Sequence, residues 1–474
     1  MDRHMVFSSG VFLFLFLPLL VVLYYSPLFP KRSSKNFLLL SASLFFYAWG
    51  EPVFVFVLLL SVIINQYLGK RLTKKHPKRK RYLAIALLYN IGLLFVFKYL
   101  GFLTENIAAV AGKESLALKI SLPIGISFFT FQMLSYILDI YYGRVKPQKK
   151  LTNLALYISF FPQLISGPIV RYNTVASEIE RRAETREDVS DGMLRFVIGL
   201  GKKVLLANYL AVIADNIFTS SSNGTGISAA TAWLGALAYA LQIYFDFSGY
   251  SDMAIGLGRM FGFHFGENFN YPYIAASITD FWRRWHISLS TWFRDYVYIP
   301  LGGNRVSPKR HVLNLFVVWL LTGIWHGANW TFVVWGLFYF VLLLLEKKTG
   351  LPEKLKGFSR IYTLFFVLLA WVLFRAEDLS SAGLYLQQMF GFTQKGAFDK
   401  VFFDYLRYGK TILLFGIVGS LPVVPWLAKK AASWNSRLKN SAAVVQMLFL
   451  TAIFLISILV TIKATYNPFI YFNF

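Results

Sequence analysis

The chain has 474 residues, of which 56% are hydrophobic and 15% are charged, and its net charge is +25. Soluble domains carry about 25% charged residues, so this composition excludes an ordinary soluble protein and indicates a polytopic membrane protein. Cysteine is absent, which excludes disulfides, thiolate metal sites and a cysteine nucleophile. The basic residues lie in short loops between apolar segments, which favours the positive-inside pattern and contact with anionic membrane lipids over nucleic-acid binding.

The N-terminal third contains apolar segments that are predicted to cross the membrane, with the loops between them on alternate sides. Residues 11–30 are apolar and lack a small-residue cleavage site, so we predict an uncleaved first helix with its N-terminus outside the cytoplasm. The loop 69–81 carries many basic residues and no acidic one, which is the strongest cytoplasmic signal in the chain. Residues 102–118 are predicted to be an outer loop. The other membrane segments of this third are predicted at 37–50, 52–68, 82–101 and 120–142.

The middle of the chain is less regular. Residues 171–191 are rich in both charges, which predicts a surface helix or loop, whereas 191–219 and 228–247 are apolar enough for membrane helices. Residues 248–310 mix glycine, aromatic and charged residues and contain no apolar run of about 20 residues. Irregular backbone with charges at membrane depth persists only where protein buries it or water fills a cavity. We therefore predict re-entrant and half-helical segments there.

The C-terminal third returns to membrane segments. These are predicted at 311–325, 329–346, 361–375, 411–428 and 443–463. Basic residues follow 329–346 and 411–428, which places the ends of these two segments in the cytoplasm. Residues 376–409 and the C-terminus are therefore expected outside the cytoplasm. In total we predict about 10–12 membrane helices in a single domain over 1–474, with a catalytic centre at about 242–346 and an aromatic tail at 464–474.

Histidine is the natural general base near neutral pH, and the chain has six. Four are interpreted as non-catalytic: solvated at His4, His76 and His311, and structural, in preference to lining a cavity, at His264. The chain has no HExxH motif, P-loop or serine nucleophile elbow, and no carboxylate–histidine spacing supports a metal site. We therefore expect no metal and no permanently bound cofactor.

The other two histidines lie in unusual surroundings. His326 lies in LTGIWHGANW, where glycines and an asparagine interrupt a membrane helix. Two interpretations stay open: an imidazole that is hydrogen-bonded for helix packing, and a base that takes a proton from an attacking hydroxyl. His286 lies in FWRRWHISLSTWFRDYVYIPLGG, close to Arg283, Arg284 and Arg294. These arginines could bind the phosphates of a carrier such as coenzyme A, or could lie at the lipid headgroups of an amphipathic helix.

The motifs around these histidines resemble a known family. WHIS at His286 and WHGA at His326, with the aromatic and basic run between them, resemble the signature of the membrane-bound O-acyltransferase (MBOAT) family. Four further segments resemble its alginate O-acetyltransferase branch: SFFTFQMLSYILDIYYG, FFPQLISGPIVRY, QIYFDFSGYSDMAIGLGRMFGF and the terminal NPFIYFNF. The resemblance extends over essentially the whole chain.

The resemblance implies an all-α fold, in which a ring of membrane helices surrounds a thin centre pierced by a tunnel. It implies that His326 is the catalytic histidine and His286 the second active-site residue. The donor would be cytoplasmic acetyl-CoA, with Arg283, Arg284 and Arg294 as its candidate binding residues. The acyl group would pass to the outer face of the bacterial cell membrane. There a partner of the SGNH-hydrolase type would complete transfer to a polysaccharide.

The aromatic tail has two interpretations. From composition alone, NPFIYFNF is an aromatic anchor at the membrane interface. The resemblance implies that the tail enters the tunnel from outside, where Tyr471 carries the acyl group after a base takes its phenolic proton.

Two other functions compete with acetyl transfer. D-Alanyl transfer to teichoic acid resembles this chain in the WHIS and WHG motifs. That branch is usually shorter and keeps its terminal aromatic motif on a separate small protein, so the fused tail favours acetylation. A transporter or lipid flippase would be expected to contain inverted repeats, which the sequence lacks.

Overall fold

The computed structural model describes residues 5–113, 117–222, 226–431 and 436–463. These residues contain helices and no β-strand, which confirms the predicted all-α class. The chain forms two compact units. One comprises Met1–Phe196 with Tyr250–Glu267, and the other comprises Val197–Gly249 with Asn268–Phe474. The single domain expected over 1–474 stays a prediction.

The first unit is built from helices that often continue through a π-helical turn. Its helices are Phe12–Phe16 (π), Leu17–Tyr25, Arg32–Gly50, Phe54–Lys70, Arg79–Leu94, Phe95–Tyr99 (π), Leu100–Ala111, Ile126–Tyr142, Leu151–Ser159, Phe161–Leu164, Tyr172–Glu180 and most of Arg186–Gly201.

The second unit contains the predicted site residues that the structure describes. Its helices are Lys202–Ala207 (π), Asn208–Ser222, most of Ala229–Met260, Pro272–Ile274 (3₁₀), Ile278–Arg284, Ile287–Phe293, Arg294–Tyr298 (π), Pro308–His326, Trp330–Thr349, Leu351–Leu355, Lys356–Phe358 (3₁₀), Ser359–Arg375, Leu379–Met389, Lys400–Gly419, Val423–Ala431 and Ser436–Lys463.

Several helices are suited to a membrane. Five of those described are long and apolar enough to cross one: Arg79–Ala111, Arg186–Ser222, Trp330–Thr349, Leu351–Arg375 and Ser441–Lys463. A sixth results if the bent pair Lys400–Gly419 and Val423–Lys430 counts as one span, and shorter apolar helices lie at Phe12–Tyr25 and Phe54–Lys70. The chain is therefore a membrane protein, although fewer described helices have the full length than the 10–12 segments predicted.

Two predicted boundaries in the first 260 residues are wrong. The expected outer loop 102–118 is helical up to Ala111, and Gly112 ends that helix in the left-handed conformation with φ 64°. The helix predicted at 228–247 continues to Met260 because residues 250–260 remain almost entirely buried. The irregular region therefore begins after Met260 instead of at 248, and the short helices within it agree with the predicted half-helical character.

The single helix predicted at 411–428 is also wrong, because two helices joined by a bend occupy this region. The helix begins at Lys400, ends at Gly419 and is followed by a second helix bent by 59°. Pro422 lies in the break, and proline provides no backbone N–H for a continuing helix.

Two helices of the second unit form a close antiparallel hairpin. Pro308–His326 and Trp330–Thr349 approach most closely at Gly323 and Gly336, where a Cβ on Gly336 would lie 2.5 Å from the carbonyl oxygen of Trp319. Small residues allow such backbone-to-backbone packing of apolar helices. Gly323 therefore lies inside a regular helix and does not interrupt it as predicted. The chain breaks only after His326.

Candidate active site

His286 occupies the turn between two short helices, Ile278–Arg284 and Ile287–Phe293. Its side chain is fully buried, and its backbone has a positive φ of 44°. Residues other than glycine rarely adopt this left-handed conformation, and those that do are concentrated at functional sites. The surrounding contacts must therefore hold the turn in place.

Asn268 provides those contacts with both its backbone and its side chain. Its carbonyl oxygen accepts the backbone N–H of Ile287 at 2.9 Å. Its side-chain Oδ1 lies 3.1 Å from His286 Nδ1 and accepts the backbone N–H and the hydroxyl of Ser288 at 3.2 and 2.8 Å. Phe247 packs edge-on against the imidazole, with ring centroids 4.7 Å apart. His286 Nε2 is buried and has no hydrogen-bond partner among the described residues.

A buried carboxylate fixes the helix that leads into this turn. Glu346, near the end of Trp330–Thr349, accepts the backbone N–H groups of Ile278 and Thr279 at 2.6 and 3.1 Å and the Thr279 hydroxyl at 3.0 Å. These are backbone donors at the start of Ile278–Arg284, where an α-helix has no internal acceptors. Negative charge at that end also stabilises the helix. The hairpin is thereby connected to the segment that carries His286.

His326 is the last residue of the first hairpin helix, and its side chain is buried. Its ring lies edge-on to the rings of Trp335 and Phe374, with centroids 4.9 and 5.1 Å away. Trp335 belongs to the second hairpin helix, and Phe374 belongs to Ser359–Arg375. Aromatic residues of two other helices therefore pack against this imidazole.

The indole of Trp325 connects the two histidines. Its ring centroid lies 6.1 Å from that of His286 and 5.1 Å from that of His326. The structure therefore brings together two histidines that are forty positions apart in the sequence, because both rings contact the same indole. Their catalytic roles stay predictions.

The three predicted donor-binding arginines differ in their surroundings. Arg284 pairs with Asp280 at 2.9 Å, and Arg294 pairs with the adjacent Asp295 at 2.7 Å. Arg283 is exposed and has no ion-pair partner among the described residues. Arg283 is thus the one of the three whose charge is not already shared with a carboxylate.

A buried ion pair lies next to the aromatic residue that packs on His286. Lys203 Nζ is 2.6 Å from Asp246 Oδ1, and both side chains are almost completely buried. Lys203 lies in a π-helical turn, a feature often found at functional sites, and Asp246 directly precedes Phe247. Charged residues within apolar helices are costly unless they pair, and this pair meets that requirement inside the protein.

Two further histidines take no part in this arrangement. His311 is buried, contacting Tyr298 at 2.8 Å and Lys347 at 2.9 Å, so the prediction of a solvated side chain is wrong. His264 is half-exposed between Glu178 and Asp188, at 2.9 and 3.1 Å. Burial alone would lower the pKa of His264, but the hydrogen bonds to these two carboxylates raise it above its usual value. Tyr471 and His4 lie outside the described residues.

Sequence reasoning missed Asn268 and Glu346. Glu346 could have been found, because Trp335, Tyr339, Leu342 and Glu346 follow the helical spacing of one buried face. Asn268 gave no comparable signal, since its contact with His286 spans an irregular segment. Among the described residues, no cluster of three or more histidine or acidic side chains could hold a metal ion.

The sequence is similar to proteins that transfer acyl groups. A sequence model of the MBOAT, membrane-bound O-acyltransferase family, matches residues 148–379, which include both histidines. The chain is 44% identical over 398 residues to a probable alginate O-acetylase AlgI of Azotobacter vinelandii, covering 82% of this chain and 78% of the relative. It is 36% identical to a peptidoglycan O-acetyltransferase of Helicobacter pylori, over 82% and 80% of the two chains. A teichoic acid D-alanyltransferase of Bacillus subtilis is 33% identical over 46% of this chain and 58% of its own.

The Glu346 contacts predict the local stability of the helix before His286. A hydrogen bond to a charged group contributes about 1.5–3 kcal/mol, and about 1.4 kcal/mol corresponds to a tenfold change. We expect Glu346→Leu to speed amide hydrogen exchange across 278–284 by about tenfold or more, and Glu346→Gln, which keeps one acceptor oxygen, to have a smaller effect. The exposed Glu353, changed to Gln, is the control. Unchanged exchange in Glu346→Leu would contradict the anchoring role.

Proposed function

The chain belongs to the membrane-bound O-acyltransferase family, and from that premise we propose that it transfers an acetyl group from cytoplasmic acetyl-CoA across the membrane. The acetyl group is used for O-acetylation of an extracytoplasmic polysaccharide. The observation that carries this proposal is the pair of buried imidazoles around Trp325, within the segment matched by the family. The names of the relatives, alginate O-acetylase and peptidoglycan O-acetyltransferase, support acetyl as the group and a polysaccharide as the acceptor.

His326 acts as the general base. It takes the proton of an attacking hydroxyl, whose oxygen forms a bond with the carbonyl carbon of the acetyl thioester. The bond from that carbon to sulfur breaks, and the thiolate of coenzyme A leaves and takes the proton from the His326 imidazolium. The apolar enclosure of His326 by Trp335 and Phe374 supports this role, because a site that excludes water protects a thioester from hydrolysis.

The donor enters from the cytoplasmic side. Coenzyme A carries several negative charges, and Arg283, Arg284 and Arg294 bind them. The exposed, unpaired Arg283 is the strongest of these candidates. No permanently bound cofactor or metal takes part.

Tyr471 relays the acetyl group to the outer face. The phenolic oxygen is the first acceptor, and a partner of the SGNH-hydrolase type then moves the group to the polysaccharide. The protein lies in the bacterial cell membrane among anionic lipids, with the basic loop 69–81 in the cytoplasm and both termini outside.

D-Alanyl transfer to teichoic acid is the second candidate function. The similarity to a teichoic acid D-alanyltransferase favours it, but that alignment covers less than half of this chain. The fused aromatic tail and the longer alignments to acetyl-transferring relatives favour acetylation. A transporter or flippase is a poorer account, since the sequence lacks inverted repeats.

Removal of the base tests the proposal directly. A general base contributes about 10²–10⁴-fold, so His326→Ala should lower acetyl transfer by that factor while the protein still inserts and accumulates. His286→Ala should also lose activity, and His76→Ala, in the basic loop, should not. Near-normal turnover of His326→Ala would refute the assignment. The assay measures acetylated polymer from cells or membranes that contain equal amounts of each variant.

The arginines predict a change in donor binding. Replacing Arg283, Arg284 or Arg294 with Gln should raise the KM for acetyl-CoA more than it lowers kcat, because binding common to the ground and transition states is lost. The effect should be largest at Arg283. The exposed Arg360→Gln is the matched control. An unchanged KM in all three variants would assign these arginines to the lipid headgroups instead.

The relay predicts an acetylated tyrosine. After incubation with acetyl-CoA, mass spectrometry should find an acetyl group on the C-terminal peptide of the native protein and not on that of Tyr471→Phe, which removes only the hydroxyl. Tyr466→Phe, in the same peptide, should still be acetylated. Full polymer acetylation by Tyr471→Phe would leave the tail as a membrane anchor.

A further inference from the structure

We propose that Asn268 is a positioning residue that fixes His286 in the tautomer with its proton on Nδ1, so that Nε2 presents a lone pair to an O–H donor. The inference deepens the proposed function, on which the role of His286 in catalysis rests. The backbone N–H of Ser288 can only donate, and it lies 3.2 Å from the atom of Asn268 assigned as Oδ1. That atom is therefore the carbonyl oxygen and not the amide nitrogen.

The orientation of the amide determines the tautomer of the histidine. Oδ1 of Asn268 can only accept, and it lies 3.1 Å from His286 Nδ1. The Nδ1 atom must therefore carry the proton, and in the neutral ring Nε2 is left as an acceptor. The Ser288 hydroxyl lies 3.4 Å from the same Nδ1 but 2.8 Å from Oδ1, so it donates to the amide oxygen.

The other contacts leave Nε2 available for a ligand. The imidazole is fully buried, and its remaining contacts are with the rings of Phe247 and Trp325. Neither they nor Asn268 and Ser288 carry a charge. A buried acceptor that no described residue satisfies is costly, which fits an atom that receives a hydrogen bond only when a ligand is present.

This tautomer defines the chemistry of His286. A neutral ring with a free Nε2 lone pair can accept a hydrogen bond or a proton from a hydroxyl. It cannot donate from Nε2 to a carbonyl oxygen or to an oxyanion. The ligand class assigned to His286 is therefore an O–H donor other than the attacking hydroxyl that His326 deprotonates, such as water or a second hydroxyl of the acceptor. If Nε2 takes a proton from that group, the imidazolium keeps its Nδ1–H bond to Asn268.

The tautomer can be measured without any acyl transfer. The protein, labelled with ¹⁵N at its six histidines, would be studied by solid-state NMR, with the His286→Gln variant assigning the His286 signals. We expect a protonated Nδ1 and an unprotonated Nε2 in the native protein and in Ser288→Ala, which retains the bond from Asn268. Asn268→Leu should lose this preference. A native protein with the proton on Nε2 would overturn the proposal.

Activity then tests whether the tautomer matters. Removing the hydrogen-bond partner that orients a metal-bound histidine costs about 10–100-fold, and we expect Asn268→Leu to lower kcat by a factor of the same order. Asn268→Asp keeps the acceptor oxygen and should recover activity at high pH. Its carboxylate favours the imidazolium, so the acid limb of its pH profile should move up by about 1 unit or more. Wild-type kcat and pH profile in Asn268→Leu would overturn the proposal. A native enzyme with the expected NMR signature and no acyl transfer would refute only the proposed function.

Discussion

The bond between Asn268 and His286 is the interaction on which the arrangement of the candidate site depends. His286 sits on a left-handed turn that is unfavourable by itself, and one asparagine holds that turn through its backbone carbonyl and its side-chain amide. The same bond orients the imidazole toward the indole that it shares with His326.

Other buried polar groups of the second unit follow the same rule, that a polar group away from water must find its partner within the protein. Glu346 satisfies the first backbone donors of the helix before His286, and Lys203 pairs with Asp246 beside Phe247. Each contact joins segments that are far apart in the chain. The Glu346 contacts fix the start of the helix that leads to His286.

Much of the fold could be predicted from the sequence, because apolar runs and basic loops are local signals. The helices at 308–326 and 330–349 lie within a few residues of the predicted 311–325 and 329–346, and short helices occur inside the region that was predicted to be half-helical. The continuation of a helix to Met260 and the break at Pro422 depended on burial and bending that a hydropathy pattern does not encode. The histidines were found through their motifs. Asn268 was not found, because its contact with His286 joins two residues that are 18 positions apart across an irregular segment.

The direction of transfer can be measured with one introduced cysteine, because the chain has none of its own. Thr73→Cys in the basic loop, labelled with a membrane-impermeant thiol reagent, reports which way the protein faces in reconstituted vesicles. Acetyl-CoA is then added outside only, and release of free coenzyme A is followed. If acetyl transfer starts from the cytoplasmic side, release should scale with the fraction of protein whose loop faces outward. Release that scales with the opposite orientation, or that is independent of orientation, would contradict a cytoplasmic donor.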